Sequence, residues 1–147
     1  MITFTLSDPA FLTCQNQGAD TPISNYNVGF QWKAQGSTYS TILPNGTIAY
    51  TTNDNGNTSV MTIKITNNDG VSIPVDSITV IDDGYGEYGL FTVGSHASTI
   101  AGGTSLEFTI TADWGGTMTL RTADLRIVLN GYVTIIHLAV NFVFFDG

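Results

Sequence analysis

Between Thr58 and Gly131 apolar and polar residues alternate in runs separated by loops of Asn, Asp and Gly, and this period of two constrains the fold more than any other feature. In Val60–Thr66, Met61, Ile63 and Ile65 face one way while Thr62, Lys64 and Thr66 face the other. In Thr104–Thr111, Leu106, Phe108 and Ile110 point inward and Ser105, Glu107 and Thr109 point outward. Strands with one wet face belong to antiparallel sheets rather than to the doubly buried sheet of an α/β fold. Between Thr117 and Leu129 the pattern holds for Met118 and Leu120, slips near Arg121 and Thr122, and resumes at Ala123, Leu125, Ile127 and Leu129. The slip predicts a β-bulge or a strand crossing between sheets. Asn130-Gly131 supplies the two positive-φ residues of a tight hairpin, so Tyr132 onward is the return strand.

Ahead of this region, Ile2, Phe4 and Leu6 alternate as a first strand stopped by Ser7-Asp8-Pro9, and Gln15–Ser24 reads as a long loop. Val28, Phe30 and Trp32 alternate again. Tyr39–Leu43 and Thr47–Thr52 flank Pro44-Asn45-Gly46, which signals a second hairpin. The expected fold is all-β, an antiparallel Ig-like β-sandwich of about 8–10 strands. A chain of 147 residues fits one domain with a proper core, with N-terminal strands and a hairpin in 1–57 and the Ig-like core in 58–147. No segment carries helical periodicity, because β-branched residues and turn formers stand where Ala, Leu, Glu and Lys would sit.

Four Lys and Arg against twelve Asp and Glu give a formal net charge of −8. Such a surface repels phosphate backbones and acidic headgroups, which argues against nucleic-acid binding and against peripheral membrane attachment. The start, Met-Ile-Thr-Phe-Thr-Leu, has neither the basic nor the apolar region of a signal peptide. The apolar run near the C-terminus contains His137 and Asn141 and is too short and polar for a membrane span. Cys14 is the single cysteine, so no intramolecular disulfide forms, and it reads as a small hydrophobe. Asn45-Gly46-Thr47 and Asn57-Thr58-Ser59 are formal glycosylation sequons that read here as turn residues.

With these pieces in place, Thr58–Gly131 resembles the immunoglobulin-like domains of the abnormal-spindle and hydin (ASH) type and their bacterial or phage relatives. The matching segments are Met61–Gly70, Ile73–Ile78, Leu90–Val93, Gly102–Ile110 and Leu125–Ile127, about half of the chain. Two departures stand out: Gly102-Gly103 replaces the family's usual Pro-Gly, and Ala112 replaces a Pro. The resemblance implies a protein-interaction or structural module and carries over no catalytic residue.

Candidate chemistry is sparse. His96 and His137 are the only imidazoles, and His137, mid-strand beside Ile136 and Leu138, reads as structural for want of a second histidine at ligand spacing. Ser95, His96 and Ser98 lack a nucleophile-elbow context, so the chain is not expected to be an enzyme. Asp82, Asp83 and Glu87 offer oxygen ligands for Ca²⁺, and Tyr85 and Tyr88 offer faces for a sugar. The alternative is a solvated glycine-rich connection, since the EF-hand spacing is absent. Asn53–Asn57 offers similar oxygens. Trp114, in a turn, either caps the core or makes an exposed contact.

From Tyr132 to Phe145 both faces of the last strand are largely apolar, and an exposed edge of that kind seeks cover. Val143, Phe144 and Phe145 are therefore expected at an interface, in a homo-oligomer or against other structural proteins. The functional expectation is a non-enzymatic structural protein of an assembly, a virion decoration, head-fibre or tail component of a phage made in the host cytoplasm. The alternative is a glycan- or Ca²⁺-binding adhesion module using loops at one end of the sandwich, with Tyr85, Tyr88 and Trp114 as candidate ligand-binding residues and Asp82, Asp83 and Glu87 as candidate metal ligands.

Overall fold

A computed structural model describes residues 21–22, 27–43, 45–52, 58–81, 91–113 and 120–142. The expected first strand at Ile2–Leu6, Cys14, and the loops at 53–57 and 82–88 lie outside the described residues. The described residues contain no helix, hence none long and apolar enough to cross a membrane.

Among the described residues eleven strands form two stacked sheets: β1 (Thr21–Pro22), β2 (Val28–Ala34), β3 (Ser40–Ile42), β4 (Thr47–Thr51), β5 (Thr58–Asn67), β6 (Ile73–Ile81), β7 (Phe91–Val93), β8 (Thr99–Ile100), β9 (Ser105–Asp113), β10 (Leu120–Leu129) and β11 (Tyr132–Asn141). One sheet runs β1-β11-β10-β6-β8 with β4 also on β11, and the other runs β3-β2-β5-β9-β7. The all-β sandwich read from alternation is thus the observed architecture. Met61, Ile63, Ile65, Leu106, Phe108 and Ile110 from one sheet are buried with Leu125, Ile127, Ile136, Leu138 and Val140 from the other. For β5, β9 and β10 those are the residues that the period of two assigns to the inner face; in β11, whose two faces are both largely apolar in sequence, the structure selects Ile136, Leu138 and Val140.

Three local expectations change. The segments flanking Pro44-Asn45-Gly46 do not pair with each other. β3 pairs antiparallel with β2 in the five-stranded sheet, whereas β4 pairs parallel with β11 in the six-stranded one. Asn45 turns the chain across the sandwich, with a φ of 63°. Its N–H donates to the Thr134 hydroxyl at 3.0 Å and its carboxamide oxygen accepts from the Ile135 N–H at 3.0 Å, so the turn is bonded to β11.

Secondly, β10 has no slip at Arg121. Its pairing with β11 runs unbroken from Leu120↔Asn141 to Leu129↔Tyr132. Arg121 itself takes the inward position and is 1% exposed, while Leu120 is turned out. The sequence pattern breaks there because a charged side chain occupies an inner site, not because the backbone shifts. The irregularity sits instead between Val128 and Leu129, which pair with Ser77 and Val75 of β6. The residue bypassed there, Asp76, accepts from the Gly131 N–H at 2.6 Å and ties the bulge to the β10–β11 turn.

Thirdly, the described part of the last strand is no open edge. β11 is flanked by β10 on one side and by β1 and β4 on the other. At the opposite sheet, Asn67 is fully buried at the end of β5. Its amide donates to the Val71 and Ile100 carbonyls at 2.8 and 3.0 Å, and its oxygen accepts from the Asp69 N–H at 2.9 Å. A buried amide so satisfied fixes the loop that carries the chain from β5 to β6.

Candidate functional site

Asp82, Asp83, Tyr85, Glu87, Tyr88, Trp114, Val143, Phe144 and Phe145 all lie outside the described residues. Among the described residues no three His, Cys, Asp or Glu side chains gather as a metal site would require. Two clusters of polar side chains stand on the outer faces of the two sheets.

On the five-stranded sheet the cluster centres on Tyr39. Continuing the β2–β3 register past Trp32↔Ser40 places Tyr39 beside Lys33. Lys64 on β5 pairs with Gln31 on one side and Glu107 on the other. The Tyr39 side chain lies across these strands, and its hydroxyl donates to Glu107 Oε2 at 2.9 Å. The ammonium groups of Lys33 and Lys64 each stand 4.8 Å from the centre of its ring. A ring's negative face attracts both cations, so one aromatic side chain holds two like charges side by side. Burial, then the hydrogen bond to Glu107 and the charge of that carboxylate, push the Tyr39 phenol above its ordinary pKa, so it remains a donor at neutral pH. Beside this cluster the Thr66 and Ser105 hydroxyls bond each other at 2.8 Å.

The chain has four basic side chains, Lys33, Lys64, Arg121 and Arg126. Arg121 is buried. Half of the positive charge of an acidic protein is thus concentrated around one tyrosine.

On the six-stranded sheet, Asp124 of β10 lies directly opposite His137 of β11, and Thr47 of β4 lies on the other side of His137. His137 Nδ1 is 2.6 Å from Asp124 Oδ1, with the two side chains 52% and 27% exposed. His137, read from the sequence as structural, stands on the outward side of β11 and meets a carboxylate there. Its partner was accessible to sequence reasoning. Counting outward from the two-residue turn at Asn130-Gly131 pairs Leu129 with Tyr132 and, five residues further on, Asp124 with His137. The other histidine, His96, has Nδ1 2.9 Å from the carbonyl of Ala97, and its ring meets Phe108 edge-on at 6.0 Å.

Where the two sheets meet along β4, Tyr50 stacks on Trp32 with 5.4 Å between ring centroids and shares a 2.7 Å hydrogen bond with the Ser59 hydroxyl. This pair closes one side of the core. Neither aromatic stood out from the alternation as a bridge between sheets, because the bridge depends on which sheet β4 joins.

No protein-family model matches the chain, and no curated protein matches it. Among solved structures it is similar to the VesB protease of Vibrio cholerae, at 14% identity and a TM-score of 0.51, over 68% of this chain and 31% of that one. The secreted serine protease VesC of the same organism follows at 15% identity and a TM-score of 0.48, over 64% of this chain and 21% of that one. The chain thus spans about a third of the length of the VesB protein, and the likeness is one of fold. It overturns the expectation that the chain is not an enzyme, which rested on a missing motif: the fold is one that a protease chain also contains.

Proposed function

We propose that the chain is an interaction module that builds into a larger assembly through its five-stranded sheet, a virion being the setting that its sequence favours. The observation that carries this reading is the Tyr39 cluster: a fixed pair of ammonium groups on an open sheet face of a chain with net charge −8. A cationic patch on an otherwise anionic surface is complementary to most of the surface of a second copy, and charge complementarity of that kind sets partner choice and encounter rate. The occurrence of a similar fold within part of the longer VesB chain fits a module that works joined to, or beside, other units. The Ig-like resemblance of Thr58–Gly131 to ASH domains supports the same reading.

Sedimentation velocity at low and high salt tests it. The wild-type chain is expected to self-associate at low salt and to dissociate as salt rises, because screening weakens exposed charge pairs. The Lys33→Glu/Lys64→Glu double variant is expected to stay monomeric. A wild-type chain that remains monomeric at every concentration, or a variant that associates equally well, would overturn the proposal.

A further inference from the structure

The pairing of His137 with Asp124 carries an inference separate from assembly. A carboxylate accepts hydrogen bonds and cannot donate one, so the 2.6 Å contact fixes the proton of the neutral imidazole on Nδ1. The lone pair is then on Nε2, the nitrogen that the contact leaves unused. The hydrogen bond also fixes the plane of the ring, and the charge of Asp124 stabilises the imidazolium that forms when Nε2 takes up an electrophile. Half of the His137 side chain is exposed, so an incoming molecule has access.

The surface around the pair suits an apolar group. Ile135 and Ala139 flank His137 on the outer face of β11, Ala49 of β4 lies opposite Ala139, and Ile81 of β6 lies opposite Asp124. Ile81 is 38% exposed, unusual for its type on this sheet. The charged groups on this face of β10 are Asp124 and Arg126, with Asp76 of β6 engaged at the β10–β11 turn.

We propose that His137 is a nucleophile for acyl transfer, positioned by Asp124, and that it takes small activated esters with an apolar acyl or aryl group. Nε2 attacks the carbonyl carbon and forms an N–C bond. The C–O bond to the aryloxide breaks, and the aryloxide leaves with the electron pair. The resulting acyl-imidazolium keeps its Nδ1 proton, which stays hydrogen-bonded to the Asp124 carboxylate. Water then attacks the acyl carbon, the carboxylate product departs, two protons pass to solvent and neutral His137 is regenerated. The atoms and charges balance with water as the only co-reactant.

His96 is the internal control, because its Nδ1 meets a neutral carbonyl instead of a carboxylate. The full chain is mixed with p-nitrophenyl acetate, release of p-nitrophenolate is followed, and the acetyl group is located by peptide mass spectrometry after rapid quenching. The acetyl group is expected on His137 ahead of His96, Lys33 and Lys64. His137→Gln should lower the rate to that of the His96→Gln/His137→Gln double variant, and His96→Gln should leave it close to wild type. Asp124→Asn should lower the rate, Asp124→Glu should restore part of it, and Asp124→Asn added to His137→Gln should cause no further loss. Circular dichroism establishes that each variant is folded, and site mapping on the wild type needs no variant. Acetylation of His96 at an equal or higher rate, or an unchanged rate in His137→Gln or Asp124→Asn, would overturn the proposal.

Discussion

Asn45-Gly46 and Asn130-Gly131 are the same dipeptide, and in both the asparagine has a positive φ, 63° and 49°. At Asn130-Gly131 the glycine is positive too, at 83°, and the chain folds back at once so that β10 and β11 pair over ten residues. This is the twist-matched turn of a tight hairpin. At Asn45-Gly46 the turn closes locally, with the Gly46 N–H donating to the Leu43 carbonyl at 2.9 Å, yet the flanking strands part into different sheets. The difference lies in what each turn is bonded to. Asn130-Gly131 is clasped by Asp76 from within its own sheet, whereas Asn45 is clasped by Thr134 and Ile135 of the strand that β4 is about to join. A turn motif therefore specifies a local backbone conformation, and the neighbours that bond to it decide where the chain goes next.

The largest effect expected from breaking this comparison comes from Gly46→Ala. A Cβ there would stand 2.7 Å from the Leu43 carbonyl oxygen, which is backbone and cannot swing away. We expect a loss of about 3 kcal/mol, the upper end for overpacking, read from urea unfolding. Asn45→Ala should follow at about 2 kcal/mol, combining one lost hydrogen bond with the strain of a left-handed alanine. Gly131→Ala should cost about 1 kcal/mol, since nothing lies near the added Cβ and only the positive φ opposes it. If Gly131→Ala proves costlier than Gly46→Ala, the distinction between a crowded crossover and an open hairpin fails.

The smallest effect sharpens the role of the sheet junction. Burial raises the Tyr50 phenol above its ordinary pKa and outweighs the hydrogen bond with Ser59, which acts in the opposite sense. A pKa raised on folding contributes stability that is present below the unfolded phenol value and is lost as pH rises through the folded one. Thermal midpoints should therefore fall on the alkaline side of about pH 10, the range where phenols ionise. Tyr50→Phe should reduce that alkaline slope while costing about 1 kcal/mol or less at neutral pH. An unchanged slope would show that Tyr50 does not carry this loss.

The strands of the central region and their inner faces were legible from alternation, because a strand with one buried face must write that face into every second residue. The same reasoning misplaced Arg121, since an inward arginine looks identical to a break in register when only side-chain polarity is read. The pairing of His137 with Asp124 follows from the hairpin count, so half of that site was also legible. The Tyr39 cluster was not, because Lys33, Tyr39, Lys64 and Glu107 come from four separate strand regions whose order no local motif encodes.

By itself, then, the sequence determined an all-β sandwich, its core residues, the β10–β11 hairpin and an acidic surface poor in cations. These depend on side-chain period, turn stereochemistry and net charge, which act between near neighbours or on the molecule as a whole. Only the tertiary structure decided that β3 and β4 belong to different sheets, that β4 and β1 share one edge of β11, and that two lysines converge on one tyrosine. Those outcomes depend on contacts between residues far apart in the chain, where the gain from joint burial of both sheets selects one strand order among many that satisfy the same local pattern.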